Sequence, residues 1–224
     1  MKPEPPLDLP DFTPDFSFED QYEGIVCGID EVGRGPLAGP VVAAAVVLRR
    51  DAIPSDILCQ INDSKQLARG KRTFLYSKIH EYAHVSIALS SVEEIDSINI
   101  LQASLLAMKK AHAKLRRLMA EPPIAALVDG NIPPKLGKIK VKTIVQGDAR
   151  SFSIAAASIV AKHYRDELMK KHAKKFPHYG WHTNAGYGTA EHLEAIEIHG
   201  ITPLHRRSFA PVSNKLVQEN SAND

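Results

Sequence analysis

Four acidic residues are spaced as though strands deliver them to one place. Asp30 and Glu31 close an apolar run, Ile25-Val26-Cys27-Gly28-Ile29, and Asp129 closes another, Ile124-Ala125-Ala126-Leu127-Val128. Asp148 follows a third run, Val141 to Val145, directly after Gly147. One aspartate after a strand is commonly a turn former or a helix N-cap. Three strands that each end in acid and are joined to a glycine (Gly28, Gly130, Gly147) make a pattern with chemical meaning. Carboxylates at one end of a sheet repel one another unless cations sit among them. Oxygen ligands without histidine or cysteine suit Mg²⁺ or Mn²⁺ rather than zinc. Two such ions about 3.5–4 Å apart activate a water and stabilise the leaving oxygen in phosphodiester hydrolysis. Adjacent strand residues face opposite ways, so Asp30 and Glu31 share a ligand only if the strand ends or kinks there.

Gly33-Arg34-Gly35 follows the first acid pair as a tight turn, whose backbone amides form a nest for a phosphate. The segment from Gly28 to Gly39 has no GxGxxG register opening a helix, because Pro36 and Pro40 interrupt it, so nucleotide-fold binding is not expected. His178 and His182 lie four apart without the HExxH pattern of a metalloprotease, and no nucleophile elbow surrounds any serine.

Several elements must position these residues. The run 25–29 pairs with Val41 to Leu48 as an early hairpin-like pair of strands, and Ala83 to Ser90 is a further strand. Pro54 to Lys71 is loop-like, and a helix covers about Arg72 to Tyr82. Ser91 and Glu94 form a capping box, opening a helical pattern to Met119 that is broken near Asn99. Pro122-Pro123 ends it. After Asp148 comes a long alanine-rich helix, then a shorter one over about Thr189 to His199, with a frayed end at Asn220 to Asp224. Mixed strands and helices of this order predict an α/β layer fold with a mixed sheet.

The chain has 224 residues, 44% apolar and 24% charged, enough for a proper core. No apolar run approaches the roughly 20 residues of a membrane span. The opening MKPEPPLDLPDF lacks the apolar centre of a signal peptide. Cys27 and Cys59 form no CxxC, so the expectation is a reduced, cytoplasmic protein. The net charge of +2 is unevenly spread: residues 1–23 hold one lysine against seven acids, net −6, which leaves +8 for residues 24–224. A basic body favours a polyanionic partner. Residues 1–22, rich in proline and acid, read as a disordered tail that Phe12, Phe16 and Phe18 could pin in part.

The strings IDEVGRGPLAGPVVAAAVVL, INDSKQL, LVDGN, QGDARSFSIAAASIVAKHYRD and GYGTAEHLEAIEIHGITPLHRRSF, in this order, resemble bacterial type 2 ribonuclease H, ribonuclease HII. The resemblance spans about residues 24–211. It implies a ribonuclease H-like mixed sheet flanked by helices, with a C-terminal helical extension, over 23–211, followed by a C-terminal tail at 212–224. It implies a Mg²⁺- or Mn²⁺-dependent endonuclease, monomeric by family default. Such an enzyme cuts the RNA strand of RNA–DNA hybrids and the 5′ side of ribonucleotides embedded in duplex DNA, leaving 3′-hydroxyl and 5′-phosphate ends.

The family's four catalytic, metal-binding acids fall on Asp30, Glu31, Asp129 and Asp148. The resemblance gives Asp30 and Asp129 the central ligand roles, Glu31 a second-metal or water-orienting role, and Asp148 a place beside the attacking water. Gly33-Arg34-Gly35 would hold the flanking phosphates and read the ribose 2′-hydroxyl. Tyr187 would stack on the sugar after the ribonucleotide, and Lys65 and Lys162 would contact the backbone. Many relatives have lysine where this chain has Gln146, and His-Lys where it has Asn184-Ala185. Two rivals from other classes are a nucleic-acid-binding module without catalysis and a two-metal nuclease of different specificity. Four intact acids oppose the first, because a pure binder gains affinity by losing negative charge near phosphate.

Overall fold

In the computed structural model, residues 12–62, 64 and 67–221 are described. The strands are β1 (Val26–Val32) and β2 (Val41–Leu48), followed by the helices α1 (Ser55–Leu58) and α2 (Arg69–Tyr82). Then come β3 (Ala83–Ser90), α3 (Val92–Leu118), β4 (Ala125–Asp129), β5 (Lys140–Ile144) and α4 (Phe152–Lys175). The C-terminal extension holds α5 (Trp181–Asn184), α6 (Ala190–His199) and α7 (Ala210–Ser221). One five-stranded sheet has the order β3-β2-β1-β4-β5. β1 to β3 pair antiparallel, and β1, β4 and β5 pair parallel, giving the mixed sheet that the sequence predicts.

β2 is buried along its whole length because helices cover both faces of the sheet. Cys27, Ile29, Val41, Ala43, Ala45, Ala126 and Val128 pack against Ala103, Ala107, Ala111 and Leu115 of α3. Val42, Ala44 and Val46 pack against Leu75 and Ile79 of α2 and the small residues Ala155 to Ala161 of α4. Alternate residues of a strand thus serve different layers. α4 lies almost on the backbone of β1, since a Cβ on Gly28 would stand 2.1 Å from the Ser153 carbonyl carbon.

Local signals hold in α3. Ser91 accepts from the Glu94 amide at 3.2 Å, while the Glu94 carboxylate accepts from the Ser91 amide at 2.9 Å. Asn99 breaks the helix with φ 68°, and its side-chain oxygen accepts from the Gln102 amide at 3.1 Å, capping the second half. The predicted loop at 54–71 contains α1, and α2 begins three residues earlier than expected.

The expected tail at 1–22 is corrected from Phe12 onward; residues 1–11 lie outside the described ones. Asp15 forms a bridge with Ser151, and the Phe16 ring packs tilted against Phe152 with centroids 5.0 Å apart. Glu19 is buried, and its carboxylate accepts from the Ser151 hydroxyl at 2.7 Å and the Ser153 amide at 3.0 Å. A helix start leaves amides without partners, and this acid satisfies one at α4 while adding favourable charge to the dipole. The expected C-terminal tail at 212–224 is corrected as well. α7 runs to Ser221, and Val212 is fully buried against Leu37, Trp181 and Ile196.

Within the extension a hydrogen-bonded chain has only one consistent proton arrangement. The Thr202 amide donates to His205 Nδ1 at 2.8 Å, so His205 carries its proton on Nε2. That proton faces His192 Nε2 at 3.1 Å, which also accepts from Trp181 Nε1 at 3.0 Å. His192 therefore donates from Nδ1 to the Tyr187 carbonyl at 2.8 Å. Both imidazoles are held neutral. Burial, then the neighbouring His192, pulls His205 down to about 4 from 6.5, and burial lowers His192 too.

Two outcomes follow from these contacts. Glu19→Ala leaves the Ser151 hydroxyl and Ser153 amide without their acceptor, and should lower unfolding free energy by about 1–3 kcal/mol in a urea titration; an unchanged midpoint would deny the cap. For His205 the unfolded chain takes up a proton at higher pH than the folded one, so its contribution is complete above pH 6.5. It should be lost as pH falls toward 4, on the order of 3 kcal/mol. In His205→Gln the acid limb of stability against pH should be shallower; equal limbs would show that this imidazole does not titrate so.

Candidate active site

The acid pair sits where the sheet opens. β1 does not end at Asp30-Glu31, as the sequence suggests, but continues to Val32 in register with β2. Its pairing with β4 stops earlier, at Ile29 opposite Val128. Beyond that point the two parallel strands separate. Asp30 is buried on the α4 side, where it is hydrogen-bonded to Ser158, whose hydroxyl lies 2.7 Å from that of Ser64. Glu31 and Asp129 line a cleft of about 100 Å³ with Arg34, Gly130 and Leu105.

Asp129 is the last residue of β4, and its carboxylate accepts from the Gly147 amide at 2.7 Å. The same amide belongs to the short helical turn Gly147–Ala149 that carries Asp148. Gln146 precedes it in the left-handed conformation, with φ 55°. Asp148 is buried. Thus the four predicted acids converge on the carboxyl end of β1 and β4, each from a different backbone position.

Their electrostatics reflect that crowding. Asp30 is raised well above the ordinary carboxylate range, first by burial and then by the charges of Glu31, Asp129 and Asp148. Ser158 pulls the other way by hydrogen bonding. Glu31 is raised by burial, offset by Arg34 at 3.4 Å and raised further by Asp129. Carboxyl oxygens are the only donors, and they repel one another, so this cluster fits a hard divalent cation. Among the described residues, no three acidic, histidine or cysteine side chains are already closed into a metal-holding group. The acids are gathered but open.

The Gly33-Arg34-Gly35 loop rests on two buried guanidiniums that sequence reasoning gave no role. Arg206 donates to the carbonyls of Gly33, Arg34 at 2.8 Å and Gly39 at 2.9 Å. Arg165 donates to Ala38 at 3.1 Å, Pro40 at 3.0 Å and Ala185 at 2.9 Å. Gly33 has φ 95°, and a Cβ there would stand 2.2 Å from Arg165 Nε, so only glycine fits above this arginine. Among the described residues neither arginine is ion-paired with a carboxylate. Burial, followed for Arg206 by the charge of Arg165, lowers them to about 10 and about 9, so both are charged at neutral pH.

Tyr187 joins the same assembly. Its ring lies 3.6 Å from where a Gly35 Cβ would be, and 44% of the residue is exposed. The preceding Gly186 carbonyl accepts from the amides of Leu37 at 2.8 Å and Ala38 at 3.3 Å. Asn184 and Ala185 shape this turn: Asn184 accepts from the Gly186 amide at 2.8 Å, and Ala185 offers its carbonyl to Arg165.

Lys162 stands apart from the acids, ion-paired with Asp166 at 2.8 Å on α4. Lys65 lies outside the described residues. A signal for Arg165 was present: it falls in the buried series Ile154, Ser158, Ala161, Arg165, Met169 and Ala173 at helical spacing, a charged residue at a core position. Arg206, in a turn without periodicity, had none.

Comparison with known proteins agrees with this architecture. Residues 27–212 match the family model described as Ribonuclease HII. The chain is 52% identical over 204 residues to the ribonuclease HII of Paramagnetospirillum magneticum, covering 91% of this chain and 99% of that one. It superposes on the ribonuclease H2 of Pyrococcus horikoshii with a TM-score of 0.70 at 26% identity, over 88% of this chain and 99% of that one. The fold is shared with Bst-RNase HIII, whose structure is a complex with Mn²⁺, at a TM-score of 0.72 and 21% identity over 88% of this chain and 70% of that one. The chain belongs to the ribonuclease HII family and is a ribonuclease H hydrolase.

Proposed function

We propose that this enzyme hydrolyses the RNA strand of RNA–DNA hybrids and cuts 5′ to ribonucleotides embedded in duplex DNA, leaving 3′-hydroxyl and 5′-phosphate ends. The observation that carries this reading is the contact of Tyr187 with the Gly33-Arg34-Gly35 loop beside four gathered acids. A nuclease that selects ribose needs its sugar-reading groups next to its cation-holding groups, and the closeness of Tyr187 to Gly35 and of Arg34 to Glu31 supports this reading.

In this reading Asp30 and Asp129 are the central ligands, Glu31 holds a second ion or orients water, and Asp148 sits beside the attacking water. Two Mg²⁺ or Mn²⁺ ions, when bound, supply an activated water and charge stabilisation for the leaving oxygen. The protein's own part is to hold the phosphate in line. Backbone amides of Gly33 and Gly35 grip the flanking phosphates, with Arg34, 53% exposed at its side chain, facing the 2′-hydroxyl. The Tyr187 ring covers the next sugar, where a 2′-hydroxyl fits badly. Lys65 and Lys162 contact the backbone farther out. Among the described residues no helix is long and apolar enough to cross a membrane. The reading includes a monomer acting on nucleic acid in the cytoplasm.

Strand scission of a labelled duplex with one ribonucleotide, in Mg²⁺, Mn²⁺ and EDTA, tests the reaction. One metal-dependent cut on the 5′ side is expected, and Asp129→Asn should reduce it by at least about a thousandfold while duplex binding stays within about threefold. Binding without any cutting by the unaltered enzyme would favour a non-catalytic module. Tyr187→Ala should slow cutting at a single ribonucleotide by about tenfold more than cutting of a continuous hybrid. Equal losses on the two substrates would remove Tyr187 from junction reading.

A further inference from the structure

Between α2, α4 and α5 lies a cleft of about 260 Å³ lined by Arg69, Arg72, Lys162, Asp166 and Lys170. Its charges are out of balance. Asp166 is shared by two cations, Arg72 at 2.9 Å and Lys162 at 2.8 Å. Glu167, the next residue along α4, is also shared by two, Arg69 at 3.7 Å and Lys170. Four cations therefore meet two carboxylates, and positive charge is left over. The side chains of Lys162 and Lys170 are each 21% exposed, so these ammonium groups are held in a recess rather than spread in solvent. Trp181 closes the floor, and the exposed His182 and Thr183 offer further polar groups at the edge.

Arg72 has structural work. Arg72 also donates to the Ser64 and Leu67 carbonyls, tying the start of α2 to the loop that precedes it. Arg69 is held only at 3.7 Å, and its side chain is 64% exposed. Arg69 can turn toward a ligand, and Lys170 reaches one by leaving Glu167, the carboxylate it shares with Arg69.

The cleft is aligned with the acid cluster through α4. Ser158 touches Asp30, and Lys162, Asp166 and Lys170 follow at four-residue intervals. At about 1.5 Å per residue the cationic positions lie about 6 to 18 Å beyond Ser158 along the helix. One strand of a duplex places a phosphate about every 3.4 Å of axis, so that span corresponds to roughly two to five nucleotides. We propose that this cleft is a subsite for a backbone phosphodiester of the bound duplex, a few nucleotides from the scissile bond, with Arg69 and Lys170 as its reaching groups. The proposal rests on the ribonuclease reading of the acids and adds Arg69 and Lys170 to the backbone contacts of Lys65 and Lys162.

The test uses the full chain carrying Arg69→Gln and Lys170→Gln, singly and together, with thermal melting to verify folding. Duplex binding is followed against salt in EDTA, so that it reports on the cleft without cutting. In the double variant the slope of log affinity against log salt should fall by about one, as for a lost phosphate contact. In cutting assays KM should rise about tenfold with kcat moving less than about twofold, and Lys170→Arg should retain most of the wild-type KM. Duplexes shortened from one end should lose the difference between wild type and variant at a particular length, and shortening from the other end should not remove it. An unchanged salt slope, or a loss confined to kcat, overturns the proposal. So does inorganic phosphate that reproduces the duplex-induced NMR shifts of Lys170 at equal affinity, which assigns the cleft to a free anion. Failure of the wild-type enzyme to cut at a ribonucleotide would instead strike the functional reading, leaving the salt comparison to judge the cleft alone.

Discussion

Repulsion among four carboxylates at the mouth of β1 and β4 is the constraint around which this protein is built. Two unit charges about 4 Å apart cost about 4 kcal/mol at an effective dielectric constant of about 20, and burial of Asp30 adds to that. Left to local preference the acids would spread into solvent. They do not, because each is fixed by backbone that the core has immobilised. Asp30 and Glu31 lie on a strand paired to β2, Asp129 takes the Gly147 amide, and Asp148 rides in the turn closed by that amide. The start of α4 must not shift, and two features hold it. Gly28 lets the helix sit against β1, while Glu19 caps it from the N-terminal segment. An acid outside the site thus stabilises the helix that flanks the acids inside it.

The opposite charge is handled in a different way. Arg165 and Arg206 are buried without carboxylate partners among the described residues, and their hydrogen bonds go to backbone carbonyls. Carbonyl oxygens satisfy the donors of a guanidinium and leave its net charge in place. An ion pair would satisfy the same donors and cancel it. Two uncancelled positive charges beneath the Gly33-Arg34-Gly35 loop therefore favour an anion above it, and they are rigid, since five of their six acceptors lie within Gly33 to Pro40. Exposed lysines give the same sign of field with far more freedom to lose on binding.

Much of this was readable from residue order. Apolar runs ending in acid located the cluster, β-branched and alanine runs located β1 to β3 and α4, and Ser91, Glu94 and Asn99 marked the start and the break of α3. These signals are local, and local signals survive in one dimension. What escaped was set by contacts between distant segments. Glu19 looks like one more acid in a polar leader, because nothing nearby in sequence shows that a helix start 132 residues away will take it. Arg206 looks like a surface cation in a basic turn, whereas its partners, Gly33 to Gly39, precede it by most of the chain. The continuation of β1 to Val32 was missed for a related reason. Glycines after Glu31 suggested an end, but pairing with β2 on one side outlasts pairing with β4 on the other.

That asymmetry carries the geometry of the site. Had β1 ended at Asp30, both acids would hang on a flexible turn, and their separation would vary with loop motion. Because the strand persists, Asp30 faces α4 and Glu31 faces the cleft beside α3, on opposite sides of a rigid ribbon. A ligand can reach both only past the end of the β1–β4 ladder, where the sheet no longer separates them. Tyr187 is mounted on the C-terminal extension, which meets the body at Gly33 to Pro40, at Arg165 of α4 and at Asp96. Positioning of the acids thus depends on the sheet and α4, and positioning of Tyr187 depends on Arg206, the neutral His192–His205 pair and Arg165 of that same α4. Because Arg165 lies on α4, the helix that flanks the acids also supports the turn before Tyr187, so a shift of that helix must move both.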